Sequence, residues 1–423
     1  MIRLRCWWVG VALLTLFACG SRTALDTDTD AGTSSRDAGP RRDAGGIPDA
    51  GPGRDAGRRD GGMGGPCSLA PLGDPQVVLT ADRGQFDRPV VLARAGGLDF
   101  GASLRTEFDT YQVHGRRGRL AVGAPDVDFS SGPAMAGTER YPAPALFATD
   151  GTFLGTCLTR DSFVELRRLR GETYELVDPV SALMGIECVS LAGSPTGWMV
   201  NGSGGGSQAA ALIPDLTGPP DAFVPLSDAA VGTEASATAI AAGFAIAFAP
   251  DSGGVLRLAL IRGDGSLDQF GIDGFQRGPN VAPAVAPVGG AREPSIALAH
   301  YTESSNLLVF WHESGDLTFI PFGFTMAGDV TPALTAVPGR AGAFVAVQSY
   351  GDADPTGGLI ETWQIEEDGM PRLIDGSVPT SRSRLDLGGI AAVTIDDRVV
   401  IHWTIVDQAT GRPETRAQVY GCR

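Results

Sequence analysis

The sequence predicts an all-β fold: a seven-bladed β-propeller of four-stranded blades over residues 67–423, preceded by a disordered tether. Three observations predict it. A unit of extended run, tight polar turn and second extended run recurs at Leu256–Ile272, Leu307–Phe322 and Ile360–Asp375, with weaker copies at Tyr111–Ala124, Val164–Val180 and Gln208–Leu226. Ahead of these hairpins lie short Ala- and Val-rich runs, often opened by Pro, whose starts are 55, 42, 50, 47, 49 and 57 residues apart. Val, Ile, Phe and Thr recur between Gly, Pro and Asp (59 Gly and 29 Pro in 423 residues), which favours many short strands over helices. Four strands at a period near fifty is propeller arithmetic.

The chain opens on a basic tip, Arg3 and Arg5, and an apolar run from Trp7 to Ala18. A dozen apolar residues are too few for a membrane-spanning helix and suit a signal sequence. Leu16-Phe17-Ala18-Cys19 follows and resembles the lipobox of a bacterial lipoprotein, with residues 1–18 removed and Cys19 acylated. Gly20 after that Cys is not the Asp associated with inner-membrane retention. The resemblance implies an outer-membrane protein anchored in the bilayer by lipid, facing either the periplasm or the exterior.

Residues 19–66 read as the tether. Its apolar side chains are few (Leu25, Ile47, Met63), and Asp-Ala-Gly recurs from Asp30, Asp37, Asp43, Asp49 and Asp55. Such a segment buries too little surface to offset its ordering entropy. As a coil it reaches about 38 Å, enough to lift a domain clear of a lipid surface. Asp26, Asp28, Asp30 and Asp37 have the spacing of a degenerate calcium loop, but Ala31 stands where the turn needs Gly. This Asp/Ala/Gly linker, with the Ser21-Arg-Thr-Ala-Leu-Asp opening, resembles those of myxobacterial lipoproteins and implies a lineage rather than an activity.

Within 67–423, the last unit supplies only three strands (389–394, 399–406 and 414–420). The unassigned strand Gln76–Thr80 is expected to pair beside them as the outer strand and close the ring. Four cysteines remain after Cys6 and Cys19. Closure brings Cys67 towards Cys422, and Cys157 then pairs with Cys188 between adjacent blades.

Charge excludes some functions. All 33 basic residues are Arg, so neither a lysine Schiff base nor a P-loop lysine exists. The net charge is −16 overall and −17 over residues 67–423, which disfavours nucleic acid as a partner.

No catalytic set is legible. His114, His300, His312 and His402 form no local metal motif. Asp126 with Asp128, and Asp352 with Asp354, sit in long connections and are the candidate ligands for a structural calcium; the competing reading is a solvated turn. No other cofactor is expected. Arg262-Gly263-Asp264 coincides with a hairpin turn, and Asn201-Gly202-Ser203 is a sequon in form only. The expected function is therefore a displayed propeller that binds a protein, peptide or glycan. The alternative is a polysaccharide lyase or glycosidase built on the same scaffold.

Overall fold

The computed structural model describes residues 67–423, except 107–109, 138, 161–162, 171–174, 185–186, 205–206, 214–221, 228–234, 249–254, 273–282, 290–294, 303–304, 313, 323–329, 351–357, 367–368, 381–388 and 408. The leader, Cys19, the tether with its Asp repeat, and Asp352 and Asp354 lie outside the described residues.

Seven antiparallel sheets form the ring. Blade 1 holds β3 (Gln85–Arg94), β4 (Gly97–Arg105), β5 (Tyr111–Gly118) and β6 (Met135–Ala136). Blade 2 holds β7 (Leu146–Thr149), β8 (Leu154–Arg160), β9 (Phe163–Arg170) and β10 (Glu175–Met184). Blade 3 holds β11 (Glu187–Ser194), β12 (Gly197–Gly204), β13 (Ser207–Ile213) and β14 (Ala222–Ser227). Blade 4 holds β15 (Ala235–Ile240), β16 (Gly243–Phe248), β17 (Leu256–Arg262) and β18 (Leu267–Ile272). Blade 5 holds β19 (Ala284–Val288), β20 (Ser295–Thr302), β21 (Ser305–His312) and β22 (Leu317–Phe322). Blade 6 holds β23 (Val330–Ala336), β24 (Ala343–Tyr350), β25 (Gly358–Ile365) and β26 (Arg372–Thr380). Blade 7 holds β27 (Ile390–Ile395), β28 (Arg398–Val406) and β29 (Pro413–Cys422), completed by β1 (Leu69–Pro71) and β2 (Gln76–Thr80).

The first strand of each blade is innermost, and these seven strands neighbour one another in a closed circle from β3 round to β27. The hydrophobic core is divided into seven layers, one between each pair of adjacent blades. A strand with period two feeds both of its layers. In β16, Phe244, Ile246 and Phe248 face blade 3, while Ala245 and Ala247 face blade 5. Such strands are buried on both sides, so they read as unbroken apolar runs.

The ring closes as a two-part outer strand. β2 pairs with the first half of β29 (Gln76 opposite Ala417) and β1 with the second half (Leu69 opposite Cys422). The sequence reading placed Gln76–Thr80 there and omitted Leu69–Pro71, a run too short and too Pro-rich to stand out as a strand. Cys67 bonds Cys422, and Cys157 in β8 bonds Cys188 in β11.

One expected hairpin is corrected. Tyr111–Ala124 is not a strand pair: β5 ends at Gly118, and its partner is the two-residue β6 beyond a long connection. Arg116-Arg117-Gly118 resembles a turn in composition. However, Arg116 and Arg117 are held in the strand by bonds to Val78 O and Asp99. The second strand of this blade, β4, was not recognised either.

Candidate functional site

The innermost strands line the channel mainly with small residues. β15 reads Ala-Ser-Ala-Thr-Ala-Ile and β27 Ile-Ala-Ala-Val-Thr-Ile, half-buried along most of their length. Among the described inner-strand residues the charged ones are Asp87, Arg88 and Arg94 of β3 and Glu187 of β11. Arg94 sits where β3 ends and is paired with Asp99 at 3.1 Å.

The other three charged residues lie where the inner strands begin. There β3 carries a bulge: Asp87 faces Ser103 and Val90 faces Gly101, which leaves Arg88 and Pro89 together opposite Ala102. Arg88 adopts a left-handed φ of 47°. Its Nε is buried without a hydrogen-bond partner. Desolvation lowers its pKa to about 10, against the raising influence of Asp87 and Tyr111.

A second polar group adjoins it. Tyr111 and Tyr141 exchange backbone hydrogen bonds of 2.7 and 2.9 Å, so their side chains share a face. Tyr141 donates its hydroxyl to Glu139 at 2.6 Å. Arg167 pairs with Glu165 at 2.6 Å and with Glu139 at 3.1 Å, and its guanidinium lies 5.9 Å from the Tyr141 ring centre. Burial, then the Glu139 bond, pushes the Tyr141 phenol well above the usual tyrosine range. Tyr141 is thus a fixed neutral donor rather than a nucleophile, and Arg167 is already occupied by two carboxylates.

A cleft opens on the opposite side of the ring, between blades 4 and 5, where the inner strands end. Its volume is about 530 Å³, and Ile240, Leu260, Phe270, Val288 and Trp311 are among the residues that line it. Phe270 and Trp311 lie 5.4 Å apart between ring centres. The Trp311 indole N–H is buried and has no partner. At the rim, Arg262 and Asp268 form an ion pair of 2.5 Å.

The residues singled out from sequence are dispersed. His114 belongs to β5, His402 to β28, and His300 and His312 stand at opposite ends of the β20–β21 pair. Asp126 and Asp128 alternate with Val127 and Phe129, which pack into the layer between blades 7 and 1. Period-two alternation therefore turns both carboxylates outward, and Asp128 accepts a bond from the Ser130 N–H at 2.8 Å. Among the described residues no three His, Cys, Asp or Glu side chains gather as a metal would need. Asn201 is buried, donating to Ser190 and accepting from Gln208, and offers no glycosylation site. Arg262-Gly263-Asp264 forms the β17–β18 turn, with Asp264 accepting from the Ser266 N–H at 2.9 Å.

Sequence reasoning missed both Arg88 and the cleft. The Asp87-Arg88-Pro89 run was a usable signal, since it puts two charges at the head of an otherwise apolar inner strand. The cleft had none, because its wall comes from residues up to 75 positions apart, from Ile240 to Gly315.

No family model and no curated protein matches the chain. Solved structures are similar to it at low identity. A neuraminidase-like protein from A/bat/Guatemala/164/2009 is 12% identical, covering 84% of this chain and 94% of that one, with a TM-score of 0.44. TolB from Acinetobacter baumannii is 11% identical over 69% of this chain and 80% of its own, at 0.38. A protein from Lactobacillus plantarum is 10% identical over 73% and 99%, at 0.42. With these scores below 0.5, the likenesses carry no argument about activity, and the propeller rests on its own strand pairing.

Proposed function

We propose that this chain is an exported lipoprotein, held to the outer membrane through acylated Cys19, whose propeller binds a segment of another protein in the cleft between blades 4 and 5. The observation that carries the binding role is Trp311. It stands in the wall of an apolar cleft of about 530 Å³ with its indole N–H unpaired. An apolar peptide side chain fills such a space against the Trp311 and Phe270 rings. A glycan fits less well, since it needs many polar partners and the wall is mostly aliphatic and aromatic. The alternative, a polysaccharide-acting enzyme, requires two carboxyl groups facing across a cleft. Among the described residues of this cleft Asp268 is the one carboxylate, and Arg262 already holds it.

Export is supported by the two disulfides, which form and persist in oxidising compartments. The binding role is tested by selecting peptides from a displayed random library. Selected peptides carry an aromatic or branched aliphatic anchor, and Trp311→Ala weakens them about tenfold or more. Binding that is indifferent to Trp311→Ala refutes the cleft as the site. For the anchor, Cys19→Ser releases the protein from the membrane fraction, and continued retention refutes acylation at that residue.

A further inference from the structure

We propose that Arg88 makes the channel mouth at the start of the inner strands a binding site for the carboxylate group of a ligand, a site separate from the cleft and on the other side of the ring. Three features converge on this residue. The bulge in β3 takes Arg88 out of the regular alternation and holds it at a left-handed φ of 47°. Bulges re-aim side chains beside functional sites, and strain of this kind persists only where the surroundings impose it.

The guanidinium is also short of partners. Its Nε is buried and unbonded, and no ion pair to Arg88 occurs among the described residues. The other charged side chain of this size in the area, Arg167, is held by both Glu165 and Glu139. Asp87, next in sequence, acts on Arg88 through its charge. A partly buried guanidinium whose Nε lacks an acceptor is met best by an anionic oxygen group, and the planar guanidinium matches a carboxylate in two-point geometry. Beyond Asp87, the acid among the described inner-strand residues is exposed Glu187 of blade 3, and the remaining blades begin with small or apolar residues.

The surroundings choose among anions. Asp87 and Glu187 both place negative charge at this mouth, which penalises a dianionic phosphate more than a singly charged carboxylate. Tyr111, buried beside the guanidinium, gives the adjoining wall an aromatic character suited to the carbon skeleton of an organic acid.

The test is arginine footprinting of the intact, disulfide-bonded protein with phenylglyoxal, read residue by residue by mass spectrometry. Acetate, neutral acetamide and inorganic phosphate are compared at matched ionic strength. Acetate is expected to slow modification of Arg88 about tenfold, the factor of one charge-assisted pair, and acetamide to have no effect. Exposed Arg412 serves as the reference and reacts equally throughout. Three outcomes overturn the proposal: Arg88 inert without any added anion, Arg88 reacting at one rate with acetate and acetamide, or phosphate protecting better than acetate. Because the wild-type protein is used, no variant has to fold for the result to count.

Discussion

Cys67 and Cys422 are 355 residues apart in sequence, and their Cα atoms are 4.9 Å apart. The bond between them fastens the first described residue of the ring to the end of the last blade. It works with a clamp from blade 6, where Gln364 accepts from the Leu69 N–H at 3.1 Å and donates to Cys67 O at 3.0 Å. Blade 1 grips the same closing strand from the other side, with Gln76 accepting from the Val127 N–H at 2.8 Å and Arg116 donating to Val78 O at 3.0 Å.

Removing the covalent link therefore weakens the whole ring. The Cys67→Ala, Cys422→Ala double variant loses up to about 5 kcal/mol of unfolding free energy in the chain-entropy model. Urea titration shows this as a lower midpoint. An unchanged midpoint means the hydrogen-bonded clamp alone sets the stability of closure.

The clamp makes its own prediction. Gln364→Leu leaves the Leu69 N–H without its acceptor and Cys67 O without its donor, at about 1–3 kcal/mol for each group that stays buried. Amide exchange should accelerate at Leu69 before it does so in the middle strands of other blades. Uniform acceleration across the ring would show instead that closure and blades open as one unit.

Acid should loosen the layer between blades 7 and 1. His402 donates from Nδ1 to Val90 O at 2.9 Å and packs edge-on to Phe100, while its Nε2 is buried and unbonded. Burial lowers its pKa to about 3, and burial lowers that of His114 in the same layer to about 4. Both values lie below the unfolded value near 6.5, so the folded protein holds these rings neutral while the unfolded chain takes up protons. Stability is flat above pH 6.5 and falls as the pH drops from there towards 4, by up to about 1.4 kcal/mol per pH unit for each histidine. Melting temperatures between pH 7.5 and 4.5 check this, and His402→Gln should reduce the slope.

Gly243 tests the blade geometry. It has φ of +148°, and a Cβ there would lie 2.1 Å from Ile261 O. Gly342 occupies the corresponding place in blade 6, at φ +143° and 2.6 Å from Ile365 O. Both sit where the chain enters the second strand and the third strand crowds it. Gly243→Ala should lower stability by about 2 kcal/mol or more, read as a drop in melting temperature, whereas Gly263→Ala, in open space, should have little effect.

The propeller was legible because its signals are local and repeated. Strands such as Phe244–Phe248 are apolar throughout, since each face meets a neighbouring blade, and turns such as Gly263-Asp264-Gly265 mark where they reverse. Blade 1 was the least legible. Its outer strand has two residues, and its long connection is ordered by Val127 and Phe129 packing on a blade some 270 residues away in sequence, at Val400.

By itself the sequence determined the period, the strand-rich class and the acidic charge, because each follows from residue type and spacing; the cysteine pairing followed only once ring closure was added. Only the tertiary structure decided that Asp126 and Asp128 face outward, that the closing strand has two parts, and that the Arg88 Nε is buried without an acceptor. It also decided that Trp311 walls a cleft. Those features depend on which side chains from distant blades meet. A side chain's burial and hydrogen-bond satisfaction are properties of the assembled layers, which no local pattern encodes.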